Sequence, residues 1–163
     1  MAFSIRPGTP DDAELMREIY APYVRETPIT FEEDVPDVSE MRGRIETVLD
    51  RHMFFAAEEN GVMLGYAYAA SYRQRPAYRF ATEVSVYVAK HRRAEGMGTA
   101  LYRELLGWLE ERGYHSALAA LTLPNVASVQ LHESAGFEKV AHFVEVGRKF
   151  DRWHDVGWWQ KVF

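Results

Sequence analysis

Residues 91–100 read HRRAEGMGTA and contain two glycines one residue apart. It follows a strand-like segment, TEVSVYVA (82–89), and leads into a helix-forming segment, TALYRELLGWLEERG (99–113). Two glycines one residue apart, Gly96 and Gly98, cost stability inside regular structure unless something must approach the backbone closely. The N-terminus of a helix offers an anion free N–H groups and the positive end of its dipole. The stretch therefore predicts an anion-binding turn for a phosphorylated ligand.

The composition argues against several kinds of protein. The chain has 163 residues, which predicts a single domain (1–163) with a sizeable core. The net charge of −5 argues against a nucleic-acid-binding protein, because phosphate backbones attract basic surfaces. No apolar run approaches the roughly 20 residues that span a membrane, and the N-terminus has no apolar signal-peptide region. Cysteine is absent, which excludes disulfides, thiol nucleophiles and cysteine zinc sites and fits a cytoplasmic location.

The segments alternate between strand-like and helix-like patterns. Their order is β-α-α-β-β-β-α-β-α-β-β, which predicts a mixed α/β sheet with helices on its faces. Hydrophobicity alternates in segment 82–89, so its valines share one face of the strand. Glu83, Ser85 and Tyr87 then share the opposite face, which brings a carboxylate and a phenol together.

The glycine stretch does not match two common phosphate-binding motifs. A Walker A loop, G-x-x-x-x-G-K-[ST], is absent, and Leu101 stands where a dinucleotide-binding fingerprint has its third glycine. The pattern that remains, from Arg93 to Gly98, is [RQ]-x-x-G-x-[GA]. This pattern resembles the acetyl-CoA pyrophosphate loop of the GNAT superfamily of N-acetyltransferases. From the loop alone, an ordinary tight turn at the start of a helix stays an alternative.

The rest of the chain extends this resemblance. In GNAT proteins a strand and a helix beginning with asparagine follow the loop helix, as in LTLPNVASVQLHESAGF (121–137). Four segments resemble the phosphinothricin acetyltransferase group: YVRETPITFEE, RPAYRFATEVSVYV, LPNVASVQLHESAGF and GRKFDRWHDVGWWQ. The resemblance implies the GNAT fold, an α/β fold with a mixed central sheet of about six to seven strands and helices on both faces. It also implies acetyl-CoA as co-substrate and a homodimer, as in close relatives.

The resemblance identifies the residues that would bind acetyl-CoA. The glycine loop would hold the pyrophosphate, and the backbone of 86–88 would pair with the pantetheine arm like an added strand. Asn125 would cap its helix and contact pantetheine. The predicted cofactor-binding residues are Val86, Tyr87, Val88, Arg92, Arg93, Ala94, Glu95, Gly96, Met97, Gly98, Thr99, Asn125 and Ser128. No metal site is predicted, because the six histidines are scattered and no H-E-x-x-H motif is present.

Three residues are predicted to carry the chemistry. Glu83 is the predicted general base, because a carboxylate in a central strand is rarely buried without purpose. A salt bridge to an arginine such as Arg79, or a solvated face of the strand, is the alternative. The phosphinothricin group has a histidine where His132 stands, so the resemblance implies that His132 acts as acid or base. An ordinary surface histidine is the alternative. Tyr87 shares the face of Glu83 and is the third candidate, with plain packing as its alternative.

A basic segment, SYRQRPAYRF (71–80), interrupts the acidic chain. The resemblance implies that Arg73, Arg75 and Tyr78 hold the anionic groups of the acceptor, and that Phe31 lines the same pocket. Arg73 replaces a lysine common in phosphinothricin enzymes, and the two cations bind oxyanions differently. A solvated loop is the alternative.

The sequence therefore predicts a cytoplasmic N-acetyltransferase for the primary amine of a small amino-acid-like acceptor, of the phosphinothricin or methionine sulfoximine type. Two alternatives stay open. The first is a GNAT acetyltransferase acting on a protein or another amine, although the basic segment argues against a polyamine. The second is a non-catalytic acyl-CoA-binding domain, and the presence of both Glu83 and His132 argues against it.

Overall fold

The computed structural model describes residues 2–93 and 95–163, and its elements follow the predicted order. The strands are β1 (Ser4–Pro7), β2 (Phe54–Glu59), β3 (Val62–Ser71), β4 (Ala81–Val88), β5 (Ser116–Leu123), β6 (Glu138–Lys149) and β7 (Arg152–Val162). The helices are α1 (Ala13–Glu26), α2 (Val38–Arg51), α3 (Met97–Glu111) and α4 (Val126–Ser134). The predicted mixed sheet with helices on both faces is confirmed.

Local sequence signals set the ends of several elements. Asn60 and Gly61 both adopt positive φ, which gives the tight turn that joins β2 to β3. The Asp37 side chain accepts a hydrogen bond from the Glu40 N–H at 2.8 Å and so caps α2. Thr9 precedes a short 3-10 turn at 10–12, and α1 begins directly after this turn.

The seven strands form one sheet in the order β1-β2-β3-β4-β5-β7-β6. Neighbouring strands are antiparallel except β4 and β5, which are parallel. The last hairpin is formed by β6, which extends to Lys149, and β7. Strand β6 therefore forms one edge of the sheet.

Two apolar cores cover the two faces of the sheet. Helix α3 packs on one face through Leu101, Leu105 and Leu109, the buried stripe of its sequence. Helices α1 and α2 pack on the other face through residues that include Tyr20 and Ile45. The valines of β4 face α3, whereas Tyr87 faces α1, as the alternation predicted. Glu83 lies on the Tyr87 side of the strand, because alternate residues share a face. Over residues 2–93 and 95–163, no helix is both long and apolar enough to cross a bilayer.

Candidate active site

The sheet splits between β4 and β5. These strands pair at three positions only, from Ala81 with Ser116 to Glu83 with Leu118. From 84 to 88, β4 pairs with β3 on one side, and no strand of the described chain pairs with its other edge. An unpaired strand edge can hydrogen-bond an extended ligand as an additional strand. The split therefore provides a site for an elongated molecule.

A narrow slot of about 60 Å³ occupies this split. Its lining includes Tyr87 from one face of the sheet and Tyr102 and His132 from the other. A wider cleft of about 430 Å³ continues from the slot to the glycine loop, and the two spaces share Val86 and Asn125 among their lining residues. A molecule bound in the cleft can thus place one end in the slot.

Most of the residues predicted to bind acetyl-CoA line the cleft. They are Val86, Tyr87, Val88, Arg92, Arg93, Gly96, Met97, Gly98, Thr99, Asn125 and Ser128. Glu95 does not line it, and Ala94 lies outside the described residues. Met97 contributes backbone only, because its side chain is buried in the core. The sequence pattern thus located the cleft, although not every side chain in it.

The glycine loop presents free donors to the cleft. Gly96 has a φ of +78°, a left-handed conformation that favours glycine, and it precedes α3. The Ala100 N–H donates to the Gly96 carbonyl at 3.0 Å. The N–H groups of Met97, Gly98 and Thr99 come earlier in the helix and have no intrahelical acceptor. These three donors and the helix dipole form an anion site.

Gly98 keeps the cleft open between α3 and α4. A Cβ added there would lie 3.2 Å from Leu131 Cδ2 and 4.0 Å from Val86 Cγ2. Both of these side chains line the cleft. Any larger residue would therefore occupy space that the ligand needs.

The two arginines before the loop have different surroundings. Arg92 donates to Glu59 Oε2 and Glu95 Oε2, each at 2.8 Å, so its charge is balanced by two carboxylates. Arg93 lies over the Tyr23 ring at 5.3 Å and has no carboxylate within 4 Å in the described part of the chain. Both arginines line the cleft, so cofactor binding by both stays a prediction; Arg92 is also tied to the loop by its two carboxylates.

Glu83 is half-buried on the face of the sheet that α1 and α2 cover. Its cross-strand partner is Ala70 of β3. Burial raises the pKa of Glu83 above its ordinary value, and the charge of Arg73 partly opposes this rise. The alternative salt bridge does not form, because Arg79 donates to the Pro76 carbonyl and lies over the Phe80 ring. A carboxylate with a raised pKa and no bonded cation fits a general base.

His132 is buried, with 2% of its surface exposed, so the alternative of a surface histidine is wrong. Its Nδ1 lies 2.7 Å from the Ser128 carbonyl, which can only accept, so Nδ1 carries the proton. The Nε2 atom then accepts from the Tyr102 hydroxyl at 2.8 Å. Burial lowers the pKa of His132, which keeps the imidazole neutral. The slot therefore contains a linked hydroxyl and imidazole and not a free histidine.

Tyr102 is a site residue that the sequence analysis missed. It lies in α3 among buried leucines and is itself 1% exposed. A buried tyrosine needs a hydrogen-bond partner for its hydroxyl, and this requirement was the available signal. The partner, His132, lies on another helix, so the sequence alone did not identify the pair.

Tyr87 packs within a cluster of tyrosines. Its ring makes edge-on contacts with Tyr20 at 5.1 Å and Tyr23 at 5.2 Å, and a tilted contact with Tyr66 at 5.6 Å. Burial raises the pKa of Tyr87 well above its ordinary value, so the phenol stays protonated. Tyr87 also lines the slot, so packing and a role at the slot are compatible.

The residues predicted to bind the acceptor do not share one cleft. Arg73, Arg75 and Tyr78 line a basic cleft of about 790 Å³ near the first residues of β4. Phe31 is not in its lining, and its ring lies 6.1 Å from the His154 ring. The chain just before Phe31 is bound by Lys149, which donates to the Thr27 and Thr30 carbonyls, each at 2.8 Å. Of the predicted acceptor residues, Arg73 is the one whose charge acts on Glu83.

The sequence profile of the acetyltransferase (GNAT) domain matches residues 5–158. The chain belongs to the GNAT acetyltransferase family. It is an acetyl-CoA-dependent N-acetyltransferase, and the fold, activity class and co-substrate expected from the resemblance are confirmed. In residues 2–93 and 95–163, no cluster of three or more histidines and carboxylates could hold a metal ion.

Two curated relatives of this GNAT protein act on small amines. The phosphinothricin N-acetyltransferase of Streptomyces viridochromogenes is 35% identical over 98% of this chain and 87% of its own. The L-methionine sulfoximine/L-methionine sulfone acetyltransferase of Salmonella typhimurium is 32% identical over 96% of this chain and 92% of its own. A solved structure of a phosphinothricin acetyltransferase from Sinorhizobium meliloti, in complex with acetyl-CoA, is 33% identical. It has a TM-score of 0.96 and covers 100% of this chain and 89% of its own.

Proposed function

We propose that this GNAT protein acetylates the primary amine of a small amino-acid-like acceptor, of the phosphinothricin or methionine sulfoximine type. The observation that carries this proposal is the slot through the sheet. It joins the cofactor cleft to the face that carries Glu83, so thioester and amine can meet from opposite sides. The named activities of the two curated relatives support the same acceptor class.

The protein binds acetyl-CoA by backbone groups. The N–H groups at 97–99 receive the pyrophosphate, with Arg93 as the neighbouring cation. The unpaired edge of β4 from 84 to 88 hydrogen-bonds the pantetheine arm as an additional strand. This placement brings the thioester to the slot, where backbone N–H groups of β4 lie nearest to its carbonyl oxygen.

Glu83 prepares the amine. An amine attacks only when neutral, and its solution pKa lies at about 8–10, so it must lose a proton to the protein. The raised pKa of Glu83 lies closer to the pKa of the amine, which makes the carboxylate a better proton acceptor. The neutral amine then attacks the thioester directly, without a covalent enzyme intermediate.

The Tyr102–His132 pair lies where the thiolate departs. The Tyr102 hydroxyl is the proton donor that lines the slot, and His132 Nε2 accepts from it. The fixed tautomer of His132 holds this donor in place. When the C–S bond breaks, the Tyr102 hydroxyl turns from His132 Nε2, gives its proton to the sulfur and takes up the second proton of the amine nitrogen in the same step. No free tyrosinate forms, because burial raises the pKa of Tyr102.

Replacement of Tyr102 by phenylalanine tests this role. It removes the hydroxyl and keeps the ring, so we expect kcat to fall by about 10²-fold with the acetyl-CoA Kd little changed. His132→Ala should also impair turnover, because the donor loses its support. Tyr114→Phe is the matched control, since the Tyr114 hydroxyl donates to the Arg51 carbonyl away from the slot. A Tyr102→Phe protein with the rate of the control would remove Tyr102 from the mechanism.

The acceptor proposal is tested by comparing matched amines. An amino-acid acceptor carries a carboxylate, and Arg73 is the cation whose charge reaches the face of Glu83. We expect free amino acids to exceed their amides and decarboxylated amines in kcat/KM. Because Arg73 is exposed, Arg73→Ala should reduce the kcat/KM ratio of free acid to amide only about two- to fivefold.

Arg75→Ala is the comparison variant, because Arg75 lines the basic cleft and is not among the charges that act on Glu83. A loss in Arg75→Ala alone would move the anion site into the basic cleft. The rate of thiol release from acetyl-CoA measures the activity of the wild type, Arg73→Ala and Arg75→Ala. Equal rates for acid, amide and decarboxylated amine would contradict an amino-acid acceptor, and absence of turnover with any amine would favour the non-catalytic alternative.

We further propose that residues 1–163 act as one domain in a cytoplasmic homodimer. Strand β6 is a sheet edge, and several apolar side chains of the β6–β7 hairpin are more than half exposed, namely Val140, Phe143, Val144, Val146, Phe150 and Trp153. Such a patch on an edge strand favours pairing with a second copy. Acetyl-CoA is available inside cells, which supports the location. Sedimentation equilibrium showing only monomer at micromolar concentration would contradict the homodimer.

A further inference from the structure

Residues 27–32, which follow α1 and which we call the strap, reach the slot. Ile29 of the strap lines both the cofactor cleft and the slot. Its side chain packs against the core on the Tyr87 face of the sheet. The other residues that line both spaces belong to β4 or to α4 and its N-terminal cap. The strap is therefore a third wall at the junction of cleft and slot.

Lys149, the last residue of β6, holds the strap. Its ammonium donates to the Thr27 and Thr30 carbonyls, each at 2.8 Å, and these two residues flank Ile29 in the chain. Lys149 is 3% exposed, and no carboxylate of the ranges 2–93 and 95–163 lies within 4 Å of it. Lysine is almost never fully buried unless it is paired. Here the buried ammonium fixes the backbone on both sides of Ile29 and balances no neighbouring charge.

A second contact joins the strap to the same hairpin. The Phe31 ring lies against Gly147 of β6, where an added Cβ would overlap the ring. Gly147 has no positive φ, so the ring and not the backbone requires a glycine at this position. Gly147 pairs with His154 of β7, and the Phe31 and His154 rings lie 6.1 Å apart. The strap is thus attached to the hairpin by an ammonium and by an aromatic ring, both close to Ile29.

The strap is also tied to α1, which covers Tyr87. The Tyr20 hydroxyl donates to Glu32, so at 2.7 Å it accepts from the Thr30 hydroxyl. The Tyr20 ring contacts the Tyr87 ring edge-on at 5.1 Å. A shift of the strap would therefore move two walls of the slot, Ile29 directly and Tyr87 through Tyr20.

We propose that Lys149 is a positioning residue for acetyl transfer: it holds Ile29 against the thioester end of acetyl-CoA and so keeps water from the thioester. The proposal rests on the proposed function, in which the thioester lies at the slot. Water that reaches the thioester attacks its carbonyl carbon in place of the amine. The C–S bond then breaks, one proton of the water goes to the sulfur and the other to solvent, and acetate and the CoA thiol leave. An apolar wall that closes the site prevents this hydrolysis.

Replacement of Lys149 by methionine tests the proposal. Methionine has a similar length but no donors, so the strap should loosen. We expect kcat for acetyl transfer to fall about tenfold, because the thioester is less well placed. We expect the hydrolysis of acetyl-CoA without acceptor, measured as thiol release, to rise about tenfold, because water reaches the thioester. The CoA Kd should stay within about twofold of the wild type, because the pyrophosphate binds at 97–99.

Ile29→Ala locates the effect and does not depend on how Lys149→Met folds. It removes the wall itself and leaves the Lys149 hydrogen bonds, which use backbone carbonyls of other residues. The hydrolysis rate should therefore rise in this variant as well. Lys161→Met is the matched control, because Lys161 lies in the same hairpin and donates to the Ala135 carbonyl at 2.8 Å, away from the strap.

The ratio of hydrolysis to acetyl transfer separates positioning from a merely structural role. A ratio that rises in Lys149→Met and Ile29→Ala but not in Lys161→Met supports the proposal. An unchanged ratio in either of the first two variants overturns it, even where both rates fall, because loss of folded protein lowers both rates together. If the wild type acetylates no small amine, the proposed function fails. The hydrolysis rates without acceptor then decide this inference, and rates equal to that of the wild type overturn it.

Discussion

Glu83→Gln is expected to lower kcat by about 10²- to 10⁴-fold and to leave the acetyl-CoA Kd nearly unchanged. The amide keeps the shape of the side chain and removes its ability to accept a proton. Glu83 is half-buried and forms no ion pair with any residue of 2–93 and 95–163, so the substitution breaks none there. Stopped-flow or steady-state thiol release measures the effect, with the exposed Glu104→Gln as control.

The pH dependence provides an independent test of the same residue. Burial raises the pKa of Glu83, so its basic form appears only as the pH rises past a value above that of an ordinary carboxyl group. The acid limb of kcat/KM should therefore lie at higher pH than for a solvated glutamate. Arg73 lowers this pKa, so Arg73→Ala should shift the limb to still higher pH. If the acid limb of kcat/KM is unchanged in Glu83→Gln, a group other than Glu83 produces it.

Gly98→Val is expected to weaken acetyl-CoA binding by about 100-fold or more. The new side chain begins 3.2 Å from Leu131 Cδ2 and extends into the cleft beside the free N–H donors. Each charge-assisted hydrogen bond lost contributes about 1.5–3 kcal/mol, and one or two such losses account for the predicted change. Isothermal titration with CoA measures it directly.

Gly107→Val controls for the helix itself, because it places the same β-branched residue in α3 away from the cleft. Gly96→Ala tests the turn in a different way, since its φ of +78° strains any residue with a Cβ. Near wild-type CoA affinity in a folded Gly98→Val protein would mean that the phosphates bind elsewhere.

The elements that sequence predicted well are those with local signals. The order of strands and helices follows from hydrophobic periodicity and from turn and cap residues such as Asn125, whose side chain accepts from the Ser128 N–H. The alternation in β4 placed Glu83 and Tyr87 on one face correctly. The glycine loop was located because its pattern lies within six consecutive residues.

The side-chain roles that needed tertiary contacts could not be predicted. Arg92 and Arg93 are adjacent in sequence, and Arg92 differs by its ion pairs with Glu95, three residues away, and with the distant Glu59. His132 faces inward although α4 shows no clear apolar stripe, so nothing local indicated its burial or its partner Tyr102. Phe31 is not in the lining of the basic cleft, and the chain before it is bound by Lys149, which is remote in sequence.

The incomplete pairing of β4 with β5 also affects the stability of the protein. Three residue pairs join the parallel strands, and the bound co-substrate would add the missing hydrogen bonds along 84–88. Acetyl-CoA would then act as a structural part of the sheet. Ligand present at 100 times its Kd stabilises a folded protein by about 2.7 kcal/mol. Amide hydrogen exchange in this half of β4 should therefore slow most on binding. Because the bound ligand stabilises the folded state, a melting temperature of this protein is meaningful only when the acetyl-CoA concentration is stated.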